Sequence, residues 1–131
     1  MQKSKNFEKN SPLIDSEYLY RAVFYGKIFW KKRYSRPSSA IFIDPNGFSV
    51  ERDGDRNEDK VIDYFVVNNY RGYLIKLNVG SCRQVNAYPL PKPSRNSDYH
   101  SEIHDSENQM LISDDKREEL SKITEEVGHI K

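Results

Sequence analysis

Four short segments hold much of the chain's β-branched and aromatic content, and each is bounded by turn-forming residues too soon to build a long helix. Residues 17–25 (EYLYRAVFY) run into Gly26, residues 40–43 (AIFI) into Asp44-Pro45-Asn46-Gly47, and residues 48–52 (FSVER) into Asp53-Gly54-Asp55. Residues 73–79 (YLIKLNV) follow Asn68-Asn69-Tyr70-Arg71-Gly72. Segments of this length and composition bury their apolar side chains by pairing in a sheet. With 131 residues there is one modest core to build. The expected fold is α+β: a single domain over 13–131, a mostly antiparallel sheet of four to six strands, one or two short helices, and a C-terminal helix packed on the sheet. Residues 1–12 are polar and read as a mobile lead-in.

Within the first segment, alternation puts Tyr18, Tyr20, Ala22 and Phe24 on one face and Leu19, Arg21 and Val23 on the other. Arg21 therefore sits among apolar neighbours. A guanidinium is costly to desolvate alone, so Arg21 is either paired with a buried acid or aimed at an anion. Asn46-Gly47 after a proline predicts a turn, with residues 40–43 and 48–52 as the arms of a hairpin. Residues 58–67 (EDKVIDYFVV) place acids ahead of an apolar set at helical spacing, and 73–79 reads as a strand inside the sheet. Pro89 and Pro91 force an extended exit after residue 84. The last helix starts at Ser113 as N-cap, carries Leu120, Ile123 and Val127 as its stripe, and stops at Gly128.

The formal charge is +1, which rules out a uniformly basic or acidic surface but conceals a strong segregation. Residues 18–43 hold Arg21, Lys27, Lys31, Lys32, Arg33 and Arg36 with no acid, whereas residues 98–126 hold ten acids against three bases. Cations interleaved with Phe29, Trp30 and Tyr34 over residues 27–36, from Lys27 to Arg36, suit phosphate neutralisation and base stacking. They equally suit a solvated loop with buried rings, or a basic stretch that faces the acidic tail. Mean hydropathy is −0.88, and no apolar run approaches the roughly 18 residues of a bilayer span, so no membrane partner is expected. The single cysteine, Cys82, permits no internal disulfide and reads as a buried structural residue; with no secretory pattern at the N-terminus, this favours a cytoplasmic location.

His100, Glu102 and His104 are spaced by two, so on a strand they share one face and are candidates for proton transfer or metal binding. The order does not match the zinc-protease helix, and the paired cysteines of zinc deaminases are missing. Residues 53–64 imitate a calcium loop but put Glu58 where glycine is needed and Tyr64 where glutamate is needed. No glycine-rich nucleotide fingerprint occurs, and no cofactor is indicated. Ser38 and Ser39, just after Arg36, either present hydroxyls to an anion or start the next element.

The succession Leu19-Tyr20-Arg21, Arg36-Pro37-Ser38-Ser39-Ala40-x-Phe42, Gly47-Phe48-Ser49-Val50-Glu51-Arg52 and His100-Ser101-Glu102-Ile103 resembles a set of small bacterial proteins from which no activity carries over. More loosely, it is similar to ADP-ribosyltransferase-like and RES-type toxin folds. That resemblance implies an arginine on an early strand, a serine on a second strand and a late glutamate around a nicotinamide dinucleotide, here Arg21, Ser38 or Ser39, and Glu102.

The functional expectation is recognition of a phosphate-bearing ligand, a nucleotide or nucleic acid, by Arg21 with Arg36, Ser38, Ser39, Arg52 and His100. In an enzyme, a transferase or hydrolase, Glu102 or His100 acts as general base and Arg21 as the electrostatic clamp. In a nucleic-acid binder, residues 27–36 contact phosphates and Trp30 stacks. The alternative is a non-catalytic component of a bacterial toxin–antitoxin or phage-defence system, bound to a protein partner through the acidic C-terminal helix.

Overall fold

The computed structural model describes residues 7–23, 30–31 and 36–130. Its elements run β1 (Tyr18–Val23), β2 (Trp30–Lys31), β3 (Arg36–Pro37), a 3-10 turn (Ser39–Phe42), β4 (Phe48–Arg52), α1 (Glu58–Val67), β5 (Gly72–Asn78), α2 (Val79–Gln84), β6 (Tyr88–Pro91), β7 (His100–His104), α3 (Asp114–Ile123) and β8 (Glu125–Ile130). Six strands form one sheet in the order β6-β7-β4-β1-β5-β8, every neighbouring pair antiparallel. This is the α+β domain expected from the sequence. β2 and β3 pair separately, Trp30 opposite Pro37.

Alternation along the strands feeds two cores. Leu19 and Val23 of β1, with Phe48, Val50, Ile75, Leu77 and Ile103, face α2, α3 and the 3-10 turn, which contribute Val79, Cys82, Leu120, Ile41 and Phe42. Tyr20 and Leu74 point the other way, where α1 lays Val61 and Phe65 over them and Ile130 of β8 closes the end. α1 begins as its sequence implies: the Asn57 side chain accepts from the Lys60 amide at 3.0 Å, and Glu58 and Asp59 occupy the positive end of the helix dipole. Cys82 is fully buried, and desolvation pushes its thiol up to about 12.

Several expectations are corrected. Residues 40–43 are not a strand: the Ser38 hydroxyl accepts from the Ala40 amide at 3.1 Å and starts the 3-10 turn, which buries the consecutive residues Ile41 and Phe42 on one side, as an alternating strand cannot. β4 consequently has no hairpin partner there and pairs with β1 and β7. Residues 79–84 form a helix capped by the Asn78 side chain, which accepts from the Ser81 amide at 2.9 Å. The C-terminal helix ends at Ile123 rather than near Gly128, with Thr124 in extended conformation. The supposed stripe divides between the faces: Leu120 and Ile123 join the first core, while Val127, on β8, joins the second. Ser113 holds the N-cap position without a side-chain cap bond. β6, with its two prolines, lies at the sheet edge, where missing amide donors do least harm.

Residues 7–12, read as part of a mobile lead-in, make defined contacts. Phe7 stacks on Tyr99 at 4.3 Å between centroids, and Arg52 donates to the Ser11 carbonyl at 2.8 Å. The same guanidinium grips Glu17 with both ends, at 2.8 Å from Nε and 2.7 Å from Nη2. Both side chains are almost completely buried, at 3% and 7% exposure. Among the described residues no helix is long and apolar enough to cross a membrane.

Two outcomes follow for stability. Arg52→Leu leaves the Glu17 carboxylate buried without its cation and should cost about 3–5 kcal/mol in urea denaturation, with much of that recovered in the double variant Glu17→Leu/Arg52→Leu. Next to this pair, burial outweighs the bond from the Tyr18 amide and, with the charge of Glu17 adding to it, pushes the Asp53 carboxyl from 3.8 up to about 6. The folded state therefore holds that proton more tightly than the unfolded chain, and the ionised carboxylate weakens the fold increasingly as pH rises from about 4 to 6. Asp53→Asn, which keeps an acceptor for Tyr18, should be more stable than the parent by about 1 kcal/mol at pH 7, after allowance for solvent screening. Melts across this range should show the difference vanishing near pH 4.

Candidate functional site

The sheet is two three-stranded halves that meet over very little backbone. β1 and β4 pair only at Leu19 opposite Arg52 and Tyr20 opposite Glu51. Beyond that, β1 continues along β5 as far as Val23 opposite Tyr73, and β4 continues along β7 as far as Phe48 opposite Ile103. The strands part, and a cleft of about 450 Å³ opens above the split. Its base is Tyr20, Arg21 and Ala22 from β1 with Ser49, Val50 and Glu51 from β4; Tyr64 and Phe65 of α1, the loop residues Asn69, Tyr70 and Arg71, and His100 of β7 form its sides.

Arg21 lies at the split itself. Its Nη1 donates to the Ser49 carbonyl at 2.8 Å, a group that the next backbone rung, toward Ala22, would have used had pairing continued. The guanidinium rests over the Phe48 ring, 4.5 Å from its centroid. No ion pair with a carboxylate forms among the described residues. Burial pulls its pKa below the ordinary value, opposed chiefly by the negative field of Asp44. Most of its five N–H donors are left to the cleft.

The opposite wall is placed by the end of α1. Asn69 adopts φ +64°, a left-handed conformation that asparagine tolerates, and the Tyr70 amide returns to the Phe65 carbonyl at 3.0 Å. This cap turns the chain so that Tyr70 and Arg71 border the cleft. Tyr70 packs edge-on against Phe65 at 4.9 Å and lies 6.3 Å from Tyr64. Burial, aided by the charge of Glu51, pushes Tyr64 up to about 12, so it stays a neutral phenol at ordinary pH. Glu51 is buried and engaged by Ser97 Oγ at 2.8 Å and Arg56 Nη2 at 3.1 Å. Burial raises its pKa, and those two partners act against that rise. His100 holds the Lys92 carbonyl through Nδ1 at 2.8 Å, which leaves Nε2 as the ring nitrogen available to a ligand.

Of the residues singled out from the sequence, the cleft thus brings together Arg21 and His100. Glu102 lies on the face of β7 shared with His100, but its carboxylate meets His104 Nε2 at 2.7 Å, and neither residue lines the cleft. Among the described residues no three metal-ligating side chains converge. Arg52 is spent on Glu17, Ser38 caps the 3-10 turn and Ser39 begins it, and Arg36 lies 3.6 Å from Glu118. Trp30 belongs to the short β2. Lys27, Lys32, Arg33 and most of residues 27–36 lie outside the described residues. The sequence reading passed over Tyr64, Tyr70 and Arg71. Their signal was the Asn68-Asn69 pair after a helical segment, followed at once by an aromatic and a cation. Comparison with protein-family models, curated proteins and solved structures finds no match.

The Glu102–His104 pair has a tight neighbour. Gly47, at φ +97°, lies so close that a Cβ there would stand 2.7 Å from both Glu102 Oε1 and His104 Nε2. Gly47→Ala should cost at least about 1 kcal/mol from the backbone conformation alone, read in denaturant melts.

Proposed function

We propose that this chain recognises a small phosphate-bearing ligand in the cleft between β1 and β4, with Arg21 as the anchoring cation. The observation that carries this reading is a guanidinium held at the base of a cavity, bonded to one backbone carbonyl and, among the described residues, paired with no carboxylate. A part-buried charge without an ion-pair partner is costly to the fold, and a ligand anion relieves that cost. Arginine presents a planar fork that matches two phosphate oxygens, which a compact ammonium does not. The volume of about 450 Å³ falls within the ordinary range of small-molecule sites.

His100 adds a second polar group. With Nδ1 held by the Lys92 carbonyl, a protonated ring offers Nε2–H to a phosphate oxygen, and a neutral one offers a lone pair to a ligand hydroxyl. Ser49, at the base, supplies a hydroxyl of either sense.

Calorimetric titration with ribose 5-phosphate at low ionic strength tests the proposal. Arg21→Gln should weaken binding by about ten- to a hundredfold, the equivalent of a charged hydrogen bond, and Arg21→Lys should recover only part. Rising salt should weaken the parent's binding. Equal affinity in the parent and Arg21→Gln, with both folded, would sink the reading.

A further inference from the structure

We infer that the ligand is a nucleoside monophosphate, its phosphate held between Arg21 and Arg71 and its base stacked on Tyr70. The inference rests on the phosphate reading above and specifies what else the ligand carries. Three observations support it.

Charge is the first. Two arginines border the cleft, Arg21 and Arg71, and among the described residues neither forms an ion pair; Arg71 donates only to the neighbouring Tyr70 carbonyl, at 2.9 Å. The one acid among the described lining residues, Glu51, is already engaged by Arg56 and Ser97. Two open cations match the roughly two negative charges of a phosphomonoester near neutral pH. A carboxylate would leave one of them unanswered.

The second is the aromatic wall. Phe65 and Tyr64 support Tyr70 through ring contacts on the α1 side, yet Tyr70 remains 43% exposed. A braced, half-open ring beside a phosphate site is a stacking platform, and every nucleobase has a face to lay on it. A sugar phosphate has no flat apolar face to match. Asn69, in the same loop, adds an amide that can donate to and accept from a base edge.

Third is size. A phosphate ion or a triose phosphate would occupy only a small part of about 450 Å³, leaving the tyrosine wall wet. A mononucleotide adds a sugar and a base, and so has the parts to fill more of that volume.

The test uses the full chain and four ligands in calorimetry: inorganic phosphate, ribose 5-phosphate, adenosine and adenosine 5′-monophosphate. The nucleotide should bind at least about tenfold tighter than ribose 5-phosphate, the low end of what one stacked base contributes. Tyr70→Leu, which retains apolar contact with Phe65 but lacks a flat ring, should reduce the nucleotide to the ribose 5-phosphate level while ribose 5-phosphate stays within twofold. Tyr70→Phe should keep most of the advantage. If ribose 5-phosphate equals the nucleotide in the parent, the base platform is refuted and the phosphate reading stands. Adenosine binding as tightly as its monophosphate would overturn the phosphate reading, and no binding by any of the four at millimolar concentration would overturn both. An equal loss for both phosphorylated ligands in Tyr70→Leu would assign Tyr70 to the architecture of the cleft and refute stacking.

Discussion

The hydrogen bond from Arg21 to the Ser49 carbonyl sits where two half-sheets stop being one. Strand β1 follows β5 and strand β4 follows β7, and the two strands share only two register positions before diverging. A divergence of that kind strands backbone groups that a ladder would have satisfied, and an unpaired carbonyl in a partly buried setting is costly. The guanidinium supplies the missing donor from a side chain and so lets the gap stay open. It also imports a charge that the carbonyl does not neutralise. The interaction that makes the cleft structurally tolerable thus makes it electrostatically suited to an anion.

The shared end of the two strands has to be correspondingly firm. Just before the split, Arg52 of β4 locks Glu17, immediately ahead of β1, in a bidentate buried pair, and the Asp53 amide donates to the Tyr18 carbonyl at 3.0 Å. The Arg56 guanidinium, 3.6 Å from the Tyr99 ring centroid, adds a bond to Glu51 at the cleft base. Charge is therefore used in two ways within a few residues. Arg52 and Arg56 are matched by carboxylates and hold strands together, whereas Arg21 is matched by a carbonyl and faces open space. On the far side, the left-handed Asn69 carries Tyr70 and Arg71 round from a helix whose Val61 and Phe65 cover Tyr20 and Leu74. The rigid parts of the fold set the positions of the groups that line the cavity.

How much of this was legible in the sequence follows from the range of each signal. Alternation and helix-start chemistry act locally, so β1, β4, β5 and α1 could be read from residues within a few positions of one another. The singular setting of Arg21, a cation between Leu19 and Val23, was equally local and pointed to the residue around which the cleft is built. Residues 40–43 were misread because consecutive apolar residues fit a strand and a 3-10 turn alike; the Ser38 cap and the core beneath Ile41 and Phe42 decided between them. The end of α3 was misread for the converse reason. Val127 continues a helical spacing from Leu120 and Ile123, but its neighbours Glu125, Glu126, Gly128, His129 and Ile130 pair along the edge of β5, with Val127 at the register shift, and that pairing overrides the local pattern. The cleft partners of Arg21 depend on which strands sit side by side, a property of long-range register that no local window contains.

The segregation of charge along the chain takes a more specific meaning in three dimensions. Of the six cations in the basic stretch, Arg36 turns toward α3 and meets Glu118, and Ser121 of the same helix bonds the Pro37 carbonyl at 2.5 Å. The helix answers its own acids as well, Arg117 with Asp114 and Lys122 with Glu119. Its four acids stand against three bases of its own, Lys116, Arg117 and Lys122, so a surface that looks strongly acidic in sequence is nearly neutralised in place. Arg21 differs from Arg36 in the element it faces. It lies on the central strand, and across the split β4 offers it a backbone carbonyl instead of a carboxylate. Continued pairing of β1 and β4 would have set Val50, not an acid, opposite Arg21, so neither the register nor the segregation of charge along the chain supplies that guanidinium with a carboxylate among the described residues.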